Sequence, residues 1–217
     1  MINLTCINNF EIIFSYKMKI LKFFLISLIL LSCSEEEPII GSIETMIVTN
    51  LEASTSSKPG EPQSGSFTKF SFSEQSVVEG DDWDIAFRAT TILVNGGFPG
   101  SDDEPDRTGI GAGYVEVGSY GSVNTIDENK FTQDSQAVYA IPTGSGKGWY
   151  NYDFQSHVIT PIAGRTLIFK THNGRYAKVE IQSYYKDSPQ TPNITSEAQY
   201  YTFNYTYQPN KGVLNFN

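Results

Sequence analysis

Apolar and polar side chains alternate along two segments of the chain, and a repeat of two residues is typical of a β-strand with one buried face. Between residues 83 and 88, Trp83, Ile85 and Phe87 fall on one face, while Asp84 and Arg88 fall on the other. Further along, four aromatic residues alternate with threonine and asparagine: Tyr201, Phe203, Tyr205 and Tyr207. Both segments are predicted to be half-buried strands.

The clearest predicted hairpin joins residues 166–172 to residues 175–185 through Asn173-Gly174. This dipeptide supplies the two positive φ angles of a type I′ turn, and β-branched or aromatic residues flank it. Weaker strand candidates are the segments 43–51, 67–72, 91–94, 114–117 and 138–141. Because no long window after residue 33 shows helical periodicity, the sequence predicts an all-β fold. We expect a single antiparallel domain with long loops around a ligand cleft and little or no helix.

The longest apolar run, residues 23–31, follows two lysines near the start of the sequence. A short basic stretch before about ten apolar residues is typical of a secretory signal and is too short to span a membrane as a helix. Met18 would begin this signal. We therefore interpret residues 1–17 as a misassigned upstream start and residues 18–32 as a signal peptide.

The segment Leu30-Leu31-Ser32-Cys33 resembles the lipobox of bacterial lipoproteins, in which the cysteine carries the lipid. The acidic residues 35–37 that follow are similar to a tag that sends Bacteroidota lipoproteins to the cell surface, although three glutamates also keep a tether solvated. We expect lipid attachment at Cys33 and localisation at the outer membrane, on the cell surface. The domain organisation that follows is a lipidated acidic tether over 33–42 and a β domain over 43–217.

Composition and charge exclude several functions. The chain carries 24 acidic and 15 basic residues, a net charge of −9, which argues against a nucleic-acid partner because phosphate is bound through lysine and arginine. The chain has two cysteines and two histidines, too few for a disulfide framework, a cysteine-rich zinc module or a histidine-rich metal site. There is no Gly-x-Ser-x-Gly elbow and no carboxylate pair that stands out as catalytic, so we predict no enzyme and no catalytic residue.

A long glycine-rich loop, residues 95–113, has an acidic centre. Loops of this length are usually functional or disordered, and the acidic residues are expected to be solvated because their spacing does not match an EF-hand. The glycines at positions 109, 111 and 113 are interpreted as turn glycines, since no predicted helix follows whose N-terminus would bind a phosphate. Of the two histidines, His172 is expected to be exposed, and by residue pattern alone His157 is expected to be a hydrogen-bonded structural histidine.

Two blocks resemble the HmuY family of Bacteroidota lipoproteins: residues 81–97 (DDWDIAFRATTILVNGG) and residues 148–185, which open with Gly-Trp-Tyr-Asn-Tyr. The aromatic segment 200–207 also fits this family. The resemblance implies an almost entirely β fold shaped like a hand, whose loops close on a ligand. It further implies a protein that captures haem and passes it to a TonB-dependent outer-membrane receptor.

Haem-binding members of the family hold the iron between two side chains, a histidine pair or methionines. The first ligand would fall within residues 124–136, which contain neither residue type, and His157 lies near the second ligand region at a different spacing. A single axial ligand stays open. His157 is the candidate metal ligand for haem iron, Tyr150 or Tyr152 is an alternative phenolate ligand, and Trp149 would stack on the porphyrin.

Two hypotheses of different class follow for the function. The first is a surface lipoprotein that captures haem or a related tetrapyrrole. The alternative is a non-haem lipoprotein on the same scaffold that binds another ligand or a protein, because a fold does not fix a function. A surface hydrolase is the least favoured of the possibilities.

Overall fold

The computed structural model describes residues 41–57, 61 and 63–217. These residues form eleven strands and one short 3-10 turn, Glu128–Lys130, with no α-helix among them. The strands are β1 Glu44–Glu52, β2 Thr68–Ser71, β3 Ser76–Val77, β4 Ile85–Arg88, β5 Thr91–Val94, β6 Ala112–Val117, β7 Tyr150–Asp153, β8 Val158–Pro161, β9 Arg165–Lys170, β10 Tyr176–Tyr185 and β11 Ala198–Gln208. The strands pair antiparallel, which confirms the predicted all-β class.

The larger sheet has five strands in the order β1-β11-β10-β9-β6. Strand β11 pairs with β1 on one side and with β10 on the other. Its alternating aromatic side chains, Tyr201, Phe203, Tyr205 and Tyr207, all lie in the main core. The predicted aromatic face is therefore confirmed, because the pleat of a strand sends every second side chain to the same face. The strand is not half-buried as predicted, since Thr202 and Thr206 on the opposite face are only 5% and 4% exposed.

The second sheet has four strands in the order β3-β2-β4-β5 and packs against the first through aromatic rings. The ring of Phe70 lies 5.6 Å from Phe203 and 5.9 Å from Tyr205 in edge-to-face contacts. The ring of Phe87 lies 4.7 Å from that of Tyr201. The main core therefore lies between the two sheets and is built from large aromatic side chains, which bury much apolar area per residue.

Strand β4 is buried on both faces, so the prediction that one of its faces is exposed to solvent was wrong. Trp83 precedes the strand and packs in a separate small cluster instead of the main core. Asp84 is buried and accepts a hydrogen bond from the backbone N–H of Phe72 at 2.8 Å. Arg88 is also buried and pairs with Asp103 at 2.6 Å. Both polar residues are tolerated inside because each has a partner.

The predicted hairpin forms between β9 and β10, but its turn is not type I′. Only Gly174 has a positive φ, +85°, and the backbone N–H of Thr171 donates to Arg175 O at 2.8 Å, which leaves a three-residue loop. His172 is the first residue of this loop, and its ring Nδ1 lies 2.8 Å from Asp84 Oδ1. The prediction that His172 is exposed was therefore wrong, since its side chain is only 16% exposed.

The loop from 95 to 113 is held in place by a buried ionic group that we call the Arg107 cluster, formed by Arg107, Glu104, Asp134 and Tyr139. Arg107 pairs with Glu104 at 2.7 Å and with Asp134 at 3.0 Å, and the Tyr139 hydroxyl donates to Glu104. Burial raises the pKa of Asp134. The expectation that Glu104 is solvated was wrong, because the guanidinium supplies a buried partner for its charge.

Residues 138–141, which were expected to form a strand, lie outside the sheets. The backbone N–H of Ala140 donates to Asp134 Oδ1 at 2.9 Å, and Ser135 N donates to Val138 O at 2.9 Å. These local bonds take the place of a ladder with a neighbouring strand. Apolar content alone therefore did not decide the structure of this segment.

The described residues contain no helix long and apolar enough to cross a membrane. Cys33 and the predicted upstream start and signal peptide lie outside the described residues, as does the tether up to residue 40. Their assignments remain predictions.

Candidate functional site

Strands β7 and β8 form a separate two-stranded hairpin that presents its tyrosines on one face. Tyr150 and Tyr152 lie two residues apart on β7, and Ile159 on β8 pairs directly with Tyr152. The backbone N–H of Ile159 donates to the Tyr185 hydroxyl of β10 at 2.9 Å. This bond fixes the hairpin to the larger sheet and so fixes the direction in which the tyrosines point.

A pocket of about 540 Å³ opens beside this face of the hairpin. Its apolar and aromatic lining consists of Ala89, Tyr150, Tyr152, Phe154, Ile159, Tyr184 and Ala198. Its polar lining consists of Gln63, Thr90, Ser145 and Gln199. A largely apolar concavity of several hundred cubic ångströms with a few polar groups is the usual form of a small-molecule or cofactor site.

Tyr152 and His157 form the most distinctive pair at this pocket. The Tyr152 hydroxyl and His157 Nδ1 are hydrogen bonded at 2.6 Å. The backbone N–H of Tyr152 donates to Ser145 Oγ at 2.8 Å, and the Phe154 ring stands edge-on to the tyrosine ring at 4.9 Å. The tyrosine is thus held from three directions, and its hydroxyl is directed towards the imidazole.

The turn that carries His157 is closed by Asp153. Its Oδ1 accepts hydrogen bonds from the backbone N–H groups of Gln155 at 2.7 Å and Ser156 at 3.2 Å, and these bonds lower the pKa of Asp153. His157 ends the turn with a φ of +56° and an exposed side chain. A left-handed φ is uncommon for residues other than glycine, and asparagine, aspartate and histidine adopt it most often among them.

Trp149 lies behind the pocket wall, with 2% of its surface exposed. Its ring contacts those of Tyr150 at 4.9 Å, Tyr201 at 5.2 Å and Tyr184 at 5.7 Å, and its indole N–H donates to Thr90 O at 3.1 Å. Trp149 therefore supports Tyr150 from the core side. Burial raises the pKa of Tyr184 and of Tyr201, so both remain neutral phenols at physiological pH.

The structure thus brings Tyr150, Tyr152 and His157 together, with Trp149 next to them. Sequence reasoning did not find Tyr184, Thr90 or Gln199, the last of which has a φ of +71°. The segments of Thr90 and Gln199 are brought together by hydrogen bonds between distant parts of the chain: Ala53 N donates to Gln199 O at 2.8 Å, and Ala89 N donates to Ala53 O at 2.7 Å. No local sequence pattern around residues 90 or 199 predicts their position at the pocket.

Other predicted ligand regions lie elsewhere. Residues 124–136 carry the 3-10 turn, and Phe131 packs there between Tyr114 and Tyr176, at ring distances of 5.1 and 5.9 Å. Within the part of the chain that the structure describes, no three histidine, cysteine, aspartate or glutamate side chains gather into a metal site. Tyr152 lines the pocket with its side chain, whereas His157 is not among the lining residues and adjoins them through its hydrogen bond to Tyr152.

The fold resembles solved structures from three Bacteroidota species at low sequence identity. An HmuY-like protein from Bacteroides vulgatus, assigned as heme-binding, matches with a TM-score of 0.44 and 16% identity, over 79% of this chain and 97% of that one. A protein from Bacteroides fragilis, assigned as a lipoprotein, matches with a TM-score of 0.38 and 16% identity, over 77% and 92%. The apo HmuY analogue of Tannerella forsythia matches with a TM-score of 0.41 and 13% identity, over 79% and 100%.

A search of curated proteins finds no match to the chain. The family model of the HmuY protein, in contrast, matches residues 63–205, which is well over half of the sequence. The matched region runs from β2 into β11 and includes the whole β7–β8 hairpin. This chain is therefore a member of the HmuY family.

Proposed function

We propose that this protein is a cell-surface lipoprotein that captures haem in the pocket beside the β7–β8 hairpin and passes it to a TonB-dependent outer-membrane receptor. Membership of the HmuY family supports binding rather than catalysis. The observation that carries the proposal is the largely apolar pocket with the hydrogen-bonded Tyr152 and His157 at its edge.

The residues present fit haem in two respects. Phenolate and imidazole side chains are both known axial ligands of haem iron, and Tyr152 and His157 supply one of each. The walls formed by Tyr150, Phe154 and Ile159 are the apolar surface that a porphyrin needs. When bound, haem would supply an iron that accepts such a ligand; Tyr152 or His157 would hold it, and Trp149 would keep Tyr150 in place through their ring contact.

The membrane anchor and the receptor belong to the proposal on separate grounds. The lipobox-like sequence ending at Cys33 supports a lipid anchor, and the acidic residues 35–37 support a location on the cell surface. Transfer to a TonB-dependent receptor rests on the resemblance to the family. One covalent lipid chain gives only reversible membrane binding, so stable anchoring needs more than one chain at the cysteine.

A haem titration of the purified full chain tests the capture of haem. We expect a saturable change in the haem absorbance in the oxidised state, with one haem bound per chain. Thr90→Phe, which fills the pocket, should weaken this binding. Thr160→Phe should leave it unchanged, because Thr160 is exposed on the same hairpin and does not line the pocket.

A second candidate function is the binding of a non-haem ligand or a protein on the same scaffold. It is favoured by residues 124–136, where the resemblance places a ligand and the sequence has neither histidine nor methionine. A flat titration of a chain that is folded by circular dichroism would contradict the haem proposal and favour this second one.

A further inference from the structure

We infer that Tyr152 is the axial ligand of the haem iron and that His157 is a positioning residue that acts through it. This inference rests on the proposed function, and it assigns different tasks to two side chains that are both able to ligate iron. The family resemblance implies two side chains that both bind the iron. In this arrangement, Tyr152 binds the iron and His157 contacts Tyr152.

The position of the two groups relative to the pocket carries the assignment. Tyr152 lines the pocket and is half-buried, whereas the His157 side chain is exposed to solvent. His157 Nδ1 already contacts the Tyr152 hydroxyl at 2.6 Å. Tyr152 is therefore the one of the two that borders the space a ligand would occupy, and His157 is joined to that space only through its contact with the Tyr152 hydroxyl.

The surroundings of Tyr152 restrict its ring as a metal ligand requires. Ser145 holds its backbone N–H, Phe154 stands edge-on to its ring and Ile159 is its cross-strand partner. Binding to iron would release the phenol proton, and His157 Nδ1 lies 2.6 Å from the hydroxyl oxygen, where it can take up that proton and hold the phenolate oxygen in place through a hydrogen bond. Tyr150 has no such role because it is buried against Trp149.

His157 has a φ of +56°, in the left-handed region that histidine, asparagine and aspartate enter more readily than most residues. This conformation ends the turn that Asp153 closes, and the imidazole lies within hydrogen-bond distance of the Tyr152 hydroxyl. The contact that its Nδ1 makes is the one with Tyr152.

The test uses the full chain with ferric haem, and it compares Tyr152→Phe with His157→Asn. Asparagine suits the left-handed backbone, so we expect His157→Asn to melt no lower than the wild type without haem. The wild type should show an absorption band and resonance Raman modes of an iron-bound phenolate. Tyr152→Phe should lose both signals, while His157→Asn should keep them and bind haem about 10- to 100-fold more weakly.

Two matched controls lie outside the pocket. Tyr120→Phe removes a phenol whose hydroxyl bonds to Thr206, and His172→Gln removes the second histidine, which bonds to Asp84. Both variants should keep the wild-type haem spectrum and affinity.

The other outcomes overturn the inference in distinguishable ways. If His157→Asn loses the axial ligand and Tyr152→Phe keeps a wild-type spectrum, His157 is the ligand. If both variants match a wild type that binds haem, the iron is held elsewhere and only the proposed function stands. If the wild type itself binds no haem, the proposed function fails and the assignment of Tyr152 fails with it.

Discussion

Replacing Arg107 with methionine removes the single positive charge that pairs with two buried carboxylates. Glu104 lies 2.7 Å and Asp134 lies 3.0 Å from this group, and both carboxylate side chains have no exposed surface. Removing one partner of a buried ion pair costs about 3–5 kcal/mol because the remaining charge loses its compensation. Methionine keeps most of the volume of the side chain, so the loss reports mainly on charge.

The structure places the expected loss at the lower end of this range. Asp134 still accepts hydrogen bonds from Val94 N at 3.0 Å and Ala140 N at 2.9 Å, and Glu104 still accepts one from Gly100 N at 3.0 Å. The Nε of Arg107 is buried without a hydrogen-bond partner among the described residues, so its removal relieves one cost. We expect the free energy of unfolding at pH 7 to fall by about 3 kcal/mol.

The loss should depend on pH in a defined direction. Burial raises the pKa of Asp134 in the folded state, so the protonated carboxyl contributes stability below its unfolded pKa and this contribution is lost as the pH rises through the folded value. Without Arg107 that loss grows, because the ionised form has no cation beside it. The deficit of Arg107→Met should therefore be larger at pH 7 than near pH 4.5, which is close to ordinary carboxyl pKa values of about 4.

Urea unfolding at both pH values, followed by tryptophan fluorescence, measures the deficit, since the Arg107 guanidinium lies 5.5 Å from the Trp83 ring. Lys186→Met is the matched control. Its partner Glu197 lies at 3.0 Å in an exposed pair, so no measurable loss is expected. If Arg107→Met is as stable as the wild type, or if its deficit is equal at both pH values, the guanidinium does not compensate the carboxylates.

Four further predictions concern other parts of the chain. The hydrogen bond to Asp84 raises the pKa of His172, so stability should fall as the pH rises from about 6 through the raised value, and His172→Gln should flatten this slope in urea unfolding at several pH values. The Tyr205 hydroxyl is buried with no partner in the described part of the chain, so Tyr205→Phe should raise stability by up to about 1 kcal/mol. Tyr201→Phe should lower stability by about 1 kcal/mol, because its hydroxyl donates to a backbone carbonyl at 2.8 Å; calorimetry showing the opposite order would refute this. Cys33→Ala should abolish partition with membranes, and unchanged partition would rule out lipid attachment there.

The strand pattern of β11 was predictable because the two-residue period of a pleated strand depends only on local geometry. The burial of Asp84 and Arg88 was not, because it depends on what covers the second face of β4. Asp84 is covered by the loop that carries His172, nearly ninety residues away in sequence. Sequence alternation shows which residues share a face and leaves open whether the other face meets water.

The candidate site divides in the same way. Tyr150, Tyr152 and His157 belong to one hairpin and lie within eight positions of each other, so a local sequence block contains them. Thr90 and Gln199 join them only after two sheets have formed around Ala53. The acidic residues of the loop 95–113 were expected to be solvated, but the pairing of Glu104 with Arg107 is a tertiary contact that composition does not show.

Strand β1 pairs with β11, so residue 44 finds its partner only at residue 207. The first strand of the larger sheet cannot pair with β11 until almost all of the intervening chain has been synthesised. Contacts so distant in sequence slow folding, because the entropy of closing a long loop is lost before the contacts form. The larger sheet is therefore completed only when nearly the whole of the described chain is available.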